Sequence, residues 1–179
     1  VHNETNEIIT IINKFNKRYM QLALYLANQR IGLTGDNPSV GCVIVKNNEI
    51  ISTGQTGLGG RPHAEVSAIR NADRKKIIGS SMYVTLEPCN HYGKTPPCTN
   101  EIVRRGIKNV VIGCEDPNPI VKSNGIKYLK ENGVNVKFGI LEKECKDLHK
   151  RLFVYFEKNR PYIILKWAES IDGYIAPKS

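Results

Sequence analysis

The sequence predicts an α/β protein in which helices cover both faces of a sheet. Three observations predict it. Short apolar, β-rich runs read as buried strands, segments with helical periodicity separate them, and Asn, Gly and Pro punctuate the junctions. Residues 16–31 open the pattern as a helix, with Tyr19, Leu22, Ala23 and Leu26 at helical spacing. Asn37-Pro38 marks a turn, and Val40–Val45 is a β-rich apolar run. Asn47-Asn48 then makes a tight hairpin turn into Glu49–Thr53. A loop through Gly57, Gly59 and Gly60 follows, and Pro62 sits in the first turn of a helix that runs to Ala72.

Met82–Leu86 reads as a buried strand, followed by a proline-rich loop from Pro88 to Pro97. Cys98–Arg105 is a short helix and Asn109–Cys114 another buried strand. Ser123–Glu131 is helical and ends at Asn132-Gly133, and Val134–Phe138 is a strand. Glu142–Lys158 reads as one long helix with Cys145, Leu148, Leu152 and Tyr155 along an apolar stripe. The order is α-β-β-α-β-α-β-α-β-α. A seam at Asn159-Arg160-Pro161 divides the chain into a domain over 1–158 and a remainder over 159–179. In that remainder Tyr162–Ala168 reads as a buried strand and Ser170–Gly173 as a turn. So short a segment cannot close a core of its own.

Composition narrows the function. Of 179 residues, 40% are hydrophobic and 24% charged, the balance of an ordinary globular protein. No apolar run approaches the roughly 20 residues of a membrane span, so no membrane partner is expected. Residues 1–18 are polar and of mixed charge, without the apolar stretch of a secretory signal. The five cysteines are odd in number and not spaced as a disulfide framework, which points to a reducing cytoplasm and to metal binding. Cys42 and Cys114 lie in apolar strands as core fillers, Cys145 lies on the last helix's stripe, and His2 and His149 have no neighbours that suggest chemistry. The net charge of +9 raises the question of nucleic acid. However, the basic residues are scattered, with Arg74-Lys75-Lys76 as the one compact run, and no aromatic residues interleave with them as a stacking platform. A small anionic substrate would also account for some of the positive charge.

Two segments carry the chemistry: Pro62-His63-Ala64-Glu65, and Pro88-Cys89 through Pro97-Cys98. One imidazole and two thiolates suit zinc and leave its fourth position to water, whose pKa such a site lowers to about 7. His63 and Cys98 each open a helix, where the positive end of the dipole favours thiolate. Glu65, two residues from His63, is placed to carry a proton rather than to ligate. The arrangement H-x-E…P-C…C is the signature of zinc deaminases. The rival is a closed structural zinc site, which takes four protein ligands and would recruit His91 as the fourth.

Cys89 and Cys98 enclose eight residues, Asn90 to Pro97, where many deaminases have two. With this insert, Asn37-Pro38-Ser39-Val40-Gly41, His63-Ala64-Glu65 and Asp116-Pro117-Asn118-Pro119, the chain from Tyr19 onward resembles the diaminohydroxyphosphoribosylaminopyrimidine deaminases of riboflavin biosynthesis. The resemblance implies a three-layer α/β/α sandwich of the cytidine-deaminase type. It implies zinc held by His63, Cys89 and Cys98, with Glu65 as catalytic proton shuttle. It implies substrate contacts from Asn37 to the pyrimidine and from Lys94 to the sugar-phosphate end, with Asp116 and Asn118 counted among them. The plainer readings are a turn former for Asn37, an exposed loop lysine for Lys94 and proline-shaped loop positions for Asp116 and Asn118. The implied reaction removes the 2-amino group of a phosphorylated diaminopyrimidinone riboside.

The chain also departs from the family. Thr56, seven residues before His63, stands where many members carry His, and Asp36 stands where they often have Pro. A threonine hydroxyl can hydrogen-bond but carries no charge. Pro161–Lys166 and Ala168–Gly173 resemble the start of the NADPH-dependent reductase domain that follows this deaminase, so this chain alone is expected to reduce nothing. A homo-oligomer is expected by resemblance. Two other functions compete: a nucleoside or tRNA deaminase sharing the zinc site, and a non-catalytic zinc module. The long inter-cysteine insert opposes the first, and Glu65 beside an open fourth position opposes the second.

Overall fold

A computed structural model describes residues 17–175. Helix α1 spans 17–28. After it come β1 (Gly41–Lys46), β2 (Glu49–Gln55), a 3₁₀ turn at Leu58–Gly60, α2 (Ala64–Asn71), β3 (Ser81–Leu86) and α3 (Cys98–Arg104). β4 (Asn109–Cys114), α4 (Asn124–Glu131), β5 (Asn135–Phe138), α5 (Glu142–Leu148) and α6 (Lys150–Lys158) complete the order. The sheet runs β2-β1-β3-β4-β5, with β1 antiparallel to both neighbours and β3, β4 and β5 parallel.

The hairpin between β1 and β2 forms because Asn47 and Asn48 both accept a left-handed backbone, with φ of 50° and 64°. Their turn pairs Lys46 with Glu49, and a register shift follows between Ile44 and Val45. β1, β3 and β4 are almost wholly buried, which is why they read as continuous apolar runs.

Register sorts the helices into two layers. Cys42 pairs with Gly54 and with Val84, so these three share a face. A side chain at Gly54 would collide with the backbone of Ala64 and Ala68, so α2 lies on that face. A side chain at Gly41 would collide with the carbonyl of Ala23, so α1 lies on the opposite face. There Gly41 N–H donates to Thr85 Oγ1 at 3.3 Å, and α5 packs close to Gly113 through Cys145. Helix α3 contacts α2 and α4 in the other layer. The expected α/β/α sandwich is therefore present, and Cys42, Cys114 and Cys145 are fully buried in its core.

Three expectations need correction. Pro62 precedes its helix rather than entering it, because His63 occupies the cap position with φ −65° and ψ 156°. The long final helix is kinked at His149, where ψ is 14°, although Phe153 N–H still donates to His149 O at 3.1 Å. Its inward stripe accordingly runs through buried Cys145 and His149 to half-buried Leu152 and Phe153, and Tyr155 is exposed. The strand expected over Tyr162–Ala168 is not formed. Residues 161–170 are without strand structure, and Ile163, Ile164, Leu165 and Trp167 are exposed. A strand requires a hydrogen-bonded neighbour, and the described residues supply none here. The turn at Ser170–Gly173 is present, closed by Gly173 N–H to Ser170 O at 2.8 Å. His2 lies outside the described residues.

His149 does have a partner. It is 4% exposed, its Nε2 lies 3.3 Å from Thr85 Oγ1, and burial pushes its pKa down to about 4. In the unfolded chain its pKa returns to about 6.5, so between these values the unfolded state binds more protons. The stability His149 contributes by staying neutral is full above pH 6.5 and is lost as pH falls to about 4, roughly 3 kcal/mol in all. The stability gap between wild type and His149→Gln should therefore narrow by about that amount on acidification, read by denaturant titration at several pH values. A gap independent of pH would refute the assignment.

Candidate active site

The site forms at one end of the sheet because four chain segments meet there. β3 ends at Leu86 and hands the chain to Glu87-Pro88-Cys89, and parallel β4 ends at Cys114, two residues before Asp116. Antiparallel β1 brings in Asn37-Pro38 just before its start, and β2 delivers Thr56 just past its end. The carboxyl ends of parallel strands are where open α/β sheets leave a crevice.

The three metal-ligating candidates converge. His63 caps α2 and Cys98 begins α3, each through an N-terminus without a side-chain cap. His63 Nδ1 lies 3.3 Å from Cys98 Sγ and 3.6 Å from Cys89 Sγ, and Cys98 N–H donates to Cys89 Sγ at 3.4 Å. All three donor atoms fall within 4.8 Å of one another. Bond lengths of about 2.0 Å to nitrogen and 2.3 Å to sulfur put tetrahedral ligand atoms roughly 3.5 Å apart, so the group has the dimensions and donor set of a zinc site. The Cys98 thiol and then the His63 ring hold the Cys89 pKa down at about 4. Conversely, the hydrogen bond with Cys89 raises the pKa of His63. His91 is not in this group, so the closed four-ligand site lacks its fourth member.

Glu65 stands in the first turn of α2, 4% exposed. Burial, reinforced by the Cys89 charge, pushes its pKa up to about 7. With His63, Cys89, Asn37, Asp116 and Asn118 it lines a cavity of about 220 Å³. Asn37 is set by Thr34, whose Oγ1 donates to Asn37 O at 2.7 Å. Asp116 Oδ1 accepts from Asn118 N–H at 2.8 Å, and burial raises the Asp116 pKa to about 6. Lys94 does not line this cavity, and it is exposed on the loop between the two cysteines.

Sequence reading missed two charged residues of the cavity, Arg61 and Glu87. Glu87 is 3% exposed, and its carboxylate accepts from four backbone N–H groups. Asp116 and Ser123 donate to Oε2 at 3.4 and 3.1 Å, and Gly125 and Ile126 donate to Oε1 at 3.0 and 3.1 Å. It thus ties the end of β3 to the loop that carries Asp116 and Asn118. An acid wedged between Leu86 and Pro88 was the available signal, since a charge so placed must be satisfied by backbone. Glu87→Gln removes one acceptor oxygen and should cost about 2–3 kcal/mol of stability while raising KM. Thermal melts and steady-state kinetics check this, and an unchanged melting temperature would count against it.

Comparison with known proteins agrees with this geometry. The family described as the cytidine and deoxycytidylate deaminase zinc-binding region matches residues 13–114. The riboflavin biosynthesis protein RibD of Aquifex aeolicus is 46% identical over 166 residues, 93% of this chain and 46% of the relative. The diaminohydroxyphosphoribosylamino-pyrimidine deaminase of Buchnera aphidicola is 50% identical over 135 residues, 75% of this chain and 91% of that protein. A crystal structure from Thermotoga maritima, a diaminohydroxyphosphoribosylaminopyrimidine deaminase/5-amino-6-(5-phosphoribosylamino)uracil reductase, shares the fold with a TM-score of 0.83 at 44% identity. That match covers 92% of this chain and 47% of the other. The chain thus spans about half the length of most of these relatives. Site geometry, family match and fold agree: the chain belongs to the diaminohydroxyphosphoribosylaminopyrimidine deaminases, within the zinc-binding cytidine and deoxycytidylate deaminases.

Proposed function

We propose that this chain hydrolyses the 2-amino group of 2,5-diamino-6-ribosylamino-4(3H)-pyrimidinone 5′-phosphate. The products are 5-amino-6-ribosylaminouracil 5′-phosphate and ammonia, a step of riboflavin biosynthesis. The observation that carries the reading is the buried Glu65 carboxyl, which shares one small cavity with His63 and Cys89 and with the polar side chains of Asn37, Asp116 and Asn118. His63, Cys89 and Cys98 would hold Zn²⁺, which when bound activates water for attack on the ring carbon. Glu65 takes one proton from that water and gives it to the ring nitrogen, where it stays in the product, then takes the second proton from the added hydroxyl and gives it to the departing amine as the carbonyl forms. A pKa near neutrality lets one carboxyl both accept and donate at the working pH. Asn37, Asp116 and Asn118 orient the pyrimidine, and Lys94 attracts the phosphate from its exposed loop.

Residues 159–179 read as the opening of a second domain, in keeping with relatives about twice as long. An NADPH-dependent reduction would belong to such a longer protein. We assign the chain to the cytoplasm as a homo-oligomer. No helix among the described residues is long and apolar enough to cross a membrane. The test is ammonia release by the zinc-loaded chain from the diaminopyrimidinone ribosyl phosphate, with cytidine, dCMP and a tRNA anticodon stem alongside. Release from the ribosyl phosphate alone is expected. Release only from one of the others would overturn the substrate assignment.

A further inference from the structure

A second cavity, of about 560 Å³, is set between the 31–39 loop and the kinked pair α5–α6. It adjoins the catalytic one: Asp36, Asn37, Pro38, Leu152 and Phe156 line both, whereas His63, Glu65 and Cys89 line only the catalytic one. Its size is that of a small-molecule site. Its walls are largely apolar, with Ile31, Leu148 and the edge-to-face pair Tyr155 and Phe156, whose ring centroids lie 5.0 Å apart. The hydroxyls that line it are already engaged: Thr34 Oγ1 donates to Asn37 O at 2.7 Å, and Ser39 Oγ donates to Ala27 O at 2.6 Å.

The exception is His149, which also lines this cavity. Its residue is 4% exposed, and its hydrogen bond among the described residues runs through Nε2 to Thr85 Oγ1. Thr85 Oγ1 already accepts from Gly41 N–H, so its own proton goes to His149 Nε2. The neutral ring then carries its proton on Nδ1, a donor with no acceptor among the described residues. Ser80 Oγ is the one sealed side-chain polar atom without a partner among these residues. His149 Nδ1 is therefore not sealed, and it opens onto the cavity that the residue lines. Two charged side chains complete the lining. Arg151 is exposed and takes no part in the salt bridges among the described residues, which use Arg104, Arg105 and Lys146. Asp36 is the one acid, able to accept from a ring N–H.

We infer that this cavity is an effector site for a flat, carbonyl-bearing heteroaromatic molecule with an anionic arm. The ring lies against the Tyr155–Phe156 wall, its carbonyl accepts from His149 Nδ1–H, and the arm reaches Arg151. A buried donor demands an acceptor, so a ring without a carbonyl binds less well. Occupancy presses on Asn37-Pro38, Leu152 and Phe156, which also face the catalytic cavity, and so raises KM. The effect on KM rests on the deaminase reading above, and the binding does not.

The experiment titrates riboflavin, flavin mononucleotide and adenosine 5′-monophosphate into the zinc-loaded chain. The first two are flat carbonyl-bearing rings without and with a phosphate, and the third is a flat ring with a phosphate and no carbonyl. Flavin fluorescence and calorimetry read the binding. Flavin mononucleotide is expected to bind with a Kd of about 1–100 μM, and the adenosine phosphate at least tenfold more weakly. Ile31→Trp, which fills this cavity and not the catalytic one, should weaken both flavins more than about tenfold. His149→Gln should weaken both about three- to tenfold. Arg151→Glu should weaken flavin mononucleotide about three- to tenfold and leave riboflavin unchanged. Absence of flavin binding at 1 mM, binding indifferent to Ile31→Trp, or equal binding of the adenosine phosphate would overturn the site. Saturating flavin mononucleotide should raise KM for the ribosyl phosphate in wild type and not in Ile31→Trp, and an unchanged wild-type KM would refute the coupling. If the chain turns over no substrate, the deaminase reading fails by itself, and the titrations still decide the site.

Discussion

Replacing Glu65 by Gln is expected to lower kcat by roughly 10²–10⁴-fold while leaving zinc content and fold intact. The size follows from the proton traffic. Hydrolytic deamination needs both protons of the attacking water moved in turn, one to the ring nitrogen and one to the leaving amine. Glu65 is the carboxyl placed for this work: buried in the first turn of α2, two residues from His63, with burial pushing its pKa up to about 7. Gln has the same shape and keeps a hydrogen-bonding oxygen, but it cannot cycle a proton. The proposed zinc ligands, His63, Cys89 and Cys98, are untouched by the change. A variant with normal metal content, a normal melting temperature and nearly normal kcat would move the proton-transfer role elsewhere. A variant that loses zinc would make Glu65 a support of the metal site instead.

The convergence of His63, Cys89, Cys98 and Glu65 was legible because their spacing is chemical rather than structural. His63 and Glu65 are separated by one residue, and Cys89 and Cys98 each sit beside a proline. Most strands were legible too, because β1, β3 and β4 are buried on both faces and so appear as unbroken apolar runs. The kink at His149 was not, because local sequence favours helix straight through, whereas the residue at the bend makes a tertiary contact with Thr85, distant in sequence. Tyr162–Ala168 shows the opposite failure. Its composition is that of a strand, but a strand exists only where a neighbour pairs with it. Arg61 and Glu87 escaped because their partners lie in segments far away in sequence. Glu87 is satisfied by residues up to Ile126, and Arg61 reaches Thr95. Lys94 is the converse: sequence proximity to both cysteines suggested a place inside the site, and the loop carries it to the surface.

Chelating the zinc should abolish turnover yet leave the domain folded, and Cys98→Ala should reproduce the loss permanently. The prediction separates a catalytic metal from a structural one. In a structural site the binding energy is folding energy, and removing the metal unfolds the domain. Here the core does not depend on the ligands. Met20, Ile44, Met82, Ile102, Ile112 and Leu129 are fully buried in the layers between α1, the sheet, α2, α3 and α4, well supplied with apolar contacts of their own. The metal should therefore act as a bound ligand that stabilises by mass action, about 2.7 kcal/mol at a hundredfold excess over its Kd. For a chain of this size that is roughly 5–10 °C in melting temperature. Cys98 is the sharper probe of the two thiols, being 1% exposed at the start of α3 with its backbone N–H already bonded to Cys89. Alanine there removes a ligand and leaves the helix itself undisturbed. Far-UV circular dichroism, metal content and ammonia release, measured before chelation, after it and after zinc is restored, give the answer. Loss of activity with retained helicity, reversed by zinc in wild type but not in Cys98→Ala, is the expected pattern. Unfolding on chelation would make the zinc a structural clamp and remove the basis for an open fourth position beside Glu65.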